Sequence, residues 1–89
     1  MMLSRTHKHF ADVVSVLDDV LGADAVPGGF EPDTPLFGFL PAFDSLAVVA
    51  IITALEEKFD FQIEDDELTG EVFASVGAIL AFVDAKVTG

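Results

Sequence analysis

A charge-free run of ten residues, Leu46 to Leu55, constrains the fold of this chain more than any other feature. The run contains neither proline nor glycine and is apolar on nearly all sides, so it is expected to form a helix. Two glutamates follow it, and the predicted helix spans about 45–59. A helix of this kind is either central in its fold or keeps an apolar strip exposed for a partner.

The strip that the helix buries can be chosen from the spacing of its apolar residues. Residues at spacings of three and four share one face of a helix, and here that face is expected to point inward. Its expected members are Val48, Ile51, Ile52, Leu55 and Phe59. The other strip then holds Leu46, Val49, Ala50 and Thr53.

The segment before this helix, 22–43, cannot be helical over most of its length. It holds all four prolines and four of the seven glycines, which break helices or favour turns. We predict an ordered loop packed over the helices, with a single turn near 34–38. Most of its apolar residues are expected to pack in the core, and the alternative for some is to line a pocket or face a partner: Phe30, Leu36, Phe37, Phe39, Leu40 and Phe43.

Apolar spacings of three and four predict two further helices, at about 7–21 and about 75–87. Ser4 or Thr6 is a candidate cap for the first, Gly22 suits its end, and Ser75 is a candidate cap for the last. Acidic residues at the start of 65–70 predict a short helix there. The expected fold is all-α, one domain over 1–89 with three main antiparallel helices, one short helix and a long loop between the first two.

Composition excludes several classes of function. The net charge is −12 and the pI is near 4.1, which disfavours nucleic-acid binding because that requires lysine and arginine. The charge suits docking on basic partner surfaces or serves solubility alone. The apolar runs are shorter than the ~20 residues of a membrane span, and residues 1–10 lack the apolar centre of a signal peptide. We expect a cytoplasmic monomer that binds neither membrane nor nucleic acid.

Two arrangements of polar residues resemble chemical sites only superficially. The acids of 60–71 have spacings similar to those of a calcium loop, but Asp65 stands where the sharp turn requires glycine, so no metal site is expected beyond loose surface binding of divalent ions. Arg5, His7, Lys8 and His9 lie at a terminus without further ligands and are expected to form a frayed helix start.

Asp44 and Ser45 stand where the loop meets the second helix. The Asp44 side chain can accept a hydrogen bond from a first-turn amide, which would make it the helix cap. Ser45 then lies where the free amides and the positive end of the helix dipole point outward, so a phosphate attached to it would be well placed. The chain lacks a Gly-x-Ser-x-Gly motif and has only two distant histidines, so Ser45 is not expected to be a catalytic nucleophile and no enzyme activity is predicted.

The run Asp44-Ser45-Leu46, the apolar helix ending Ala54-Leu55-Glu56-Glu57-Lys58-Phe59 and the acidic connector after it resemble the acyl carrier proteins over about 43–83. The resemblance implies that Ser45 carries a covalent 4'-phosphopantetheine derived from coenzyme A, whose thiol holds acyl groups as thioesters. It also implies that Asp44 assists this modification and that Leu46 belongs to the attachment motif.

The partners implied by the resemblance are a phosphopantetheinyl transferase, an acyl-loading ligase and an acyl-using transferase or synthase of fatty-acid or polyketide-type biosynthesis. They would dock on a face made by Leu46, Val49, Ala50, Thr53, Glu56 and Glu57. The family commonly has acids where Ala47 and Ala50 stand, so docking here is expected to depend more on apolar contact. The alternatives are an aminoacyl or peptidyl carrier and an unmodified helical interaction module.

Overall fold

The computed structural model describes residues 4–22, 24–26 and 28–88, and within these ranges it describes side chains from His9 to Val87. The side chains of the expected caps Ser4 and Thr6, and of Arg5, His7 and Lys8 in the basic cluster, lie outside the described residues.

The described residues form three α-helices and one short 3-10 helix, in the order α1 (Ser4–Leu21), α2 (Ser45–Phe59), η1 (Asp65–Glu67) and α3 (Val76–Thr88). Over the described ranges the only β-type pairing is an isolated bridge between Pro35 and Ser75. The predicted all-α class is confirmed. Helix α1 begins three residues before the predicted start, and η1 is a single turn that ends at 67 instead of 70. Helix α3 begins one residue later than predicted because Ser75 caps it from outside, with its Oγ accepting the Ala78 N–H at 3.1 Å.

Helix α1 packs against both other helices and holds the centre of the bundle. It contributes three fully or almost fully buried side chains on one face, which agrees with its amphipathic sequence pattern. Helix α2 buries one face only, so of the two alternatives for this apolar helix the exposed strip is the one that the fold adopts. The core consists of Val13, Val16, Leu17, Phe30, Leu36, Phe43, Ile51, Leu55, Phe73, Val76, Ile79, Leu80 and Val83.

The long loop is fastened to the start of α3 by backbone hydrogen bonds. The N–H groups of Val76 and Gly77 donate to the carbonyls of Thr34 and Pro32, at 3.1 and 2.6 Å. These two amides belong to the first turn of α3, which has no intrahelical acceptor for them. The loop therefore caps a helix that follows it by about forty residues, and this capping holds the loop over the bundle.

The connector after α2 is held by Glu56. Helix α2 ends at Asp60, which adopts left-handed backbone angles (φ 58°, ψ 51°) and donates its N–H to the Glu56 carbonyl. The Glu56 carboxylate accepts the Ile63 N–H at 2.9 Å. Farther on, Glu67 closes a capping box with Glu64 and forms an ion pair with Lys86 of α3 at 2.9 Å. The irregular connector is thus tied to both α2 and α3.

Candidate functional site

Ser45 is the first residue of α2 and is exposed to solvent. Asp44 precedes it in extended backbone geometry (φ −100°, ψ −171°), and its Oδ1 accepts the Ala47 N–H at 2.9 Å. The Asp44 carbonyl accepts the Val48 N–H at 3.0 Å. Asp44 is therefore the helix cap that the sequence predicts, and its side chain satisfies a first-turn donor while Ser45 remains accessible.

The position of Ser45 fits a covalently attached anion. The N–H groups of Ser45 and Leu46 belong to the first turn, which has no acceptor within its own helix. The positive end of the helix dipole adds to their attraction for a phosphodiester, typically by about 0.3 to 1 kcal/mol. An attached 4'-phosphopantetheine would supply the thiol that this cysteine-free chain lacks.

His9 is far from Ser45 and cannot serve it as a general base. The His9 side chain is buried and meets the ring of Phe59 edge-on, with 5.4 Å between ring centroids. Phe59 is the last residue of α2 and Ser45 the first, so the two ends are separated by roughly 20 Å at 1.5 Å per residue. This separation places the His9 ring out of hydrogen-bonding reach of the Ser45 hydroxyl.

The outward strip of α2 contains the apolar docking residues that the sequence predicts. Leu46, Val49, Ala50 and Thr53 are all exposed, while Ala47 is buried and Val48 is half-buried. Glu57 is exposed, but Glu56 is half-buried with its carboxylate on the Ile63 N–H. Four of the six predicted docking residues therefore form an uncharged exposed strip that begins beside Ser45, and Glu57 lies beyond them.

A cleft of about 180 Å³ lies between the loop, α2 and the segment before α3. From the sequence, lining a pocket is the alternative to core packing for Phe37, and Val48 is expected on the buried face of α2. The sequence predicts no pocket role for Leu68, Thr69 or Gly70 in the connector. The connector residues lie in irregular structure, where no periodic pattern indicates which way a side chain points. The cleft is lined by Phe37, Val48, Leu68, Thr69, Gly70 and Phe73.

Among the side chains described between His9 and Val87, no three histidines, aspartates or glutamates cluster closely enough to hold a metal ion. None of the helices that the structure describes is long and apolar enough to cross a membrane.

The family model described as "Phosphopantetheine attachment site" matches residues 11–83, which is most of the chain. The acyl carrier protein of a Sulfurovum species is 39% identical over 75 residues, covering 84% of this chain and 93% of that protein. The acyl carrier protein of Clostridium acetobutylicum is 36% identical over 76 residues, covering 85% and 92%.

A solved structure gives the same result for the fold. The solution NMR structure of a holo acyl carrier protein from Nitrosomonas europaea superposes with a TM-score of 0.81 at 38% identity, covering 91% of this chain and 98% of that one. The two relatives and the Nitrosomonas europaea protein are all named acyl carrier proteins. This favours an acyl cargo over the aminoacyl, peptidyl and unmodified alternatives. The protein carries acyl groups on a covalent 4'-phosphopantetheine and is not an enzyme. By sequence, family model and fold, the chain belongs to the acyl carrier protein family.

Proposed function

We propose that Ser45 is the residue to which 4'-phosphopantetheine is attached, and that the arm delivers acyl thioesters from this point to partner enzymes. The observation that supports this best is the exposed Ser45 at the first position of α2, next to the Asp44 cap and inside the segment that matches the family model. A flexible arm fixed at an exposed helix end raises the effective concentration of its cargo wherever the carrier docks.

Asp44 is proposed to assist the attachment reaction. Only one of its oxygens, Oδ1, is used by the Ala47 N–H, and the residue is exposed. The family resemblance implies that the transferase uses coenzyme A and a magnesium ion. A carboxylate next to Ser45 is suited to help recruit that ion, because hard divalent cations prefer oxygen ligands.

The proposed partners are the phosphopantetheinyl transferase, an acyl-loading ligase and an acyl-using transferase or synthase. They would meet the chain on the strip that begins at Leu46 and continues through Val49, Ala50 and Thr53, with Glu57 at its far end and the Glu56 carboxylate beside it. The exposure of the strip and its position next to Ser45 support this assignment. The cytoplasmic location and the monomeric state stay predictions from the sequence.

The test is the intact mass of the chain after incubation with coenzyme A, magnesium and a broad-specificity phosphopantetheinyl transferase. We expect one phosphopantetheine on the native chain and none on Ser45→Ala. Ser75→Ala is a matched control because Ser75 also stands at a helix start, and it should still gain the arm. A mass gain on Ser45→Ala would contradict the assignment. No gain on a folded native chain, with the transferase active on a control carrier, would also contradict it.

A further inference from the structure

Four large apolar side chains are exposed near the amino end of α2. Leu46 and Val49 belong to the helix and are 80% and 61% exposed, while Phe37 and Phe39 belong to the loop and are 44% and 72% exposed. Single exposed hydrophobic residues are ordinary on protein surfaces, but a contiguous patch of roughly 300 Å² or more marks an interaction site. Whether these four form one patch depends on how the loop meets the helix.

Backbone turns and ring contacts hold the loop against the helix. The N–H groups of Phe39 and Leu40 both donate to the Leu36 carbonyl at 2.9 Å, and the Phe43 N–H donates to the Leu40 carbonyl at 3.0 Å. Two consecutive tight turns thus return the chain to the helix cap. The ring of Phe37 lies 6.3 Å from that of Phe43 between centroids, and Phe37 lines the cleft together with Val48 of α2. Phe37 therefore lies beside the first turns of the helix, and Phe39 belongs to the same turn of the loop two residues later.

The two segments that hold these four side chains are uncharged, although the protein as a whole carries a net charge of −12. No acidic or basic residue occurs between Asp44 and Glu56, and the turn from 36 to 40 also has none. A lysine- or arginine-rich surface placed over the patch would lose hydration without gaining an ion pair there. An aliphatic or aromatic surface would bury apolar area on both sides, which is favourable.

We propose that Phe37 and Phe39 of the loop act with Leu46 and Val49 of α2 as one apolar docking surface for the enzymes that act at Ser45. The complementary surface on those enzymes is aliphatic or aromatic at its centre, not lysine- and arginine-rich. Phe39 is the main anchor, because an exposed aromatic ring that enters a partner pocket contributes a large share of binding energy. This inference rests on the proposed function, since Ser45 is what brings the enzymes to this end of the molecule.

The test uses the full chain without its arm as substrate for the phosphopantetheinyl transferase encoded by the same organism, with kcat/KM measured by intact mass. Phe39→Ser and Val49→Ser should each lower kcat/KM about tenfold, as expected for interface anchors. Val87→Ser is the matched control, because Val87 is 45% exposed on the last turns of α3 and should react like the native chain. The loss on Phe39→Ser should persist from about 0.05 to about 0.5 M NaCl, because apolar contacts are not screened.

Several outcomes would overturn the docking surface. The two serine variants could react as fast as Val87→Ser, or the native reaction could fall about tenfold across the salt series, as charge-driven docking would. A dimer seen by sedimentation and dissociated by Phe39→Ser would assign the patch to a second copy of the chain. Thermal melts of all variants separate docking from folding, and Val49 and Phe39 lie on different elements, so one misfolded variant does not remove the test.

Failure of the proposed function gives a different result. If Ser45 is not the attachment residue, the native chain gains no mass or Ser45→Ala gains it, at any salt concentration. If only the docking surface is wrong, attachment to Ser45 proceeds normally on every variant.

Discussion

At the scale of single residues, Asp44 caps α2 and is also the residue that we propose to assist the attachment reaction. Its Oδ1 accepts the Ala47 N–H and so ends the loop and begins α2. The same carboxylate stands next to the serine that we propose as the attachment residue. The two tasks can be separated, because asparagine caps a helix about as well as aspartate but carries no charge.

Asp44→Asn should keep the stability of the fold, whereas Asp44→Ala should lose about 1 kcal/mol through the missing cap. That loss corresponds to a decrease of roughly 4 to 8 °C in the melting temperature for a domain of this size. Both variants should gain phosphopantetheine more slowly, because neither has the carboxylate. Thermal melts and initial rates of mass gain measure the two effects. A native rate in Asp44→Asn would show that the charge is not used.

Gly77 is the glycine with the clearest steric requirement. A Cβ built on it would lie 2.8 Å from the Pro32 carbonyl oxygen, the same atom that accepts the Gly77 N–H. Gly77→Ala should therefore push the loop from the start of α3 and destabilise the fold by about 1 to 3 kcal/mol. Urea unfolding measures the change. Gly70→Ala is the control, since nothing lies within 4 Å of a Cβ there; equal stability of the two variants would contradict the steric argument.

At the scale of elements, Glu67 holds η1 in place, because its carboxylate accepts hydrogen bonds from the Glu64 N–H and the Lys86 ammonium. The pKa of Glu67 lies below its ordinary value of 4.5. The larger cause is the hydrogen bond from the Glu64 N–H, and the smaller cause is the Lys86 ammonium. A carboxyl group whose pKa is lower in the folded state stabilises the fold above its ordinary pKa, and this contribution is lost as pH falls through the folded value. Because the pKa of Glu67 is lowered, the free energy of unfolding is predicted to decrease as the pH falls below 4.5.

Glu67→Gln should flatten the decrease in unfolding free energy below pH 4.5, because glutamine retains an acceptor oxygen but does not titrate. Lys86→Met should flatten it less, since the backbone contact is the larger cause and remains. Urea unfolding at about pH 6 and at a series of values below the ordinary pKa measures both variants. The prediction is contradicted if Glu67→Gln follows the native pH profile.

At the scale of the whole molecule, charge and apolar surface are separated. The chain has sixteen acidic and four basic residues. Of the five large apolar side chains that are exposed in the described part of the chain, all but Val87 lie in uncharged segments close in sequence to Ser45. Salt should consequently affect folding and docking differently. It screens the repulsion among acids that weakens the compact state, and it leaves an apolar docking surface unaffected.

Raising NaCl from about 0.05 to about 0.5 M should increase the melting temperature of the native chain, because self-repulsion is screened. The double variant Glu57→Gln with Asp66→Asn changes two exposed acids and raises the net charge from −12 by 2 to −10, so its melting temperature should rise less. Calorimetry or circular dichroism measures both. A native melting temperature that salt does not move would contradict the role assigned to self-repulsion.

The sequence by itself determined the all-α class, the range of α2, the serine at its start and the caps Asp44 and Ser75. These follow from local physics, since periodicity, proline positions and capping act over a few residues. Tertiary structure decided that α1 holds the centre and that α2 keeps one strip exposed. It also decided which loop aromatics are buried, because backbone groups of the loop pair with the start of α3. It fixed the connector after α2 as well, because the Glu56 carboxylate accepts the Ile63 N–H. Long-range pairings of this kind have no periodic signature in a sequence, so only the folded chain reveals them.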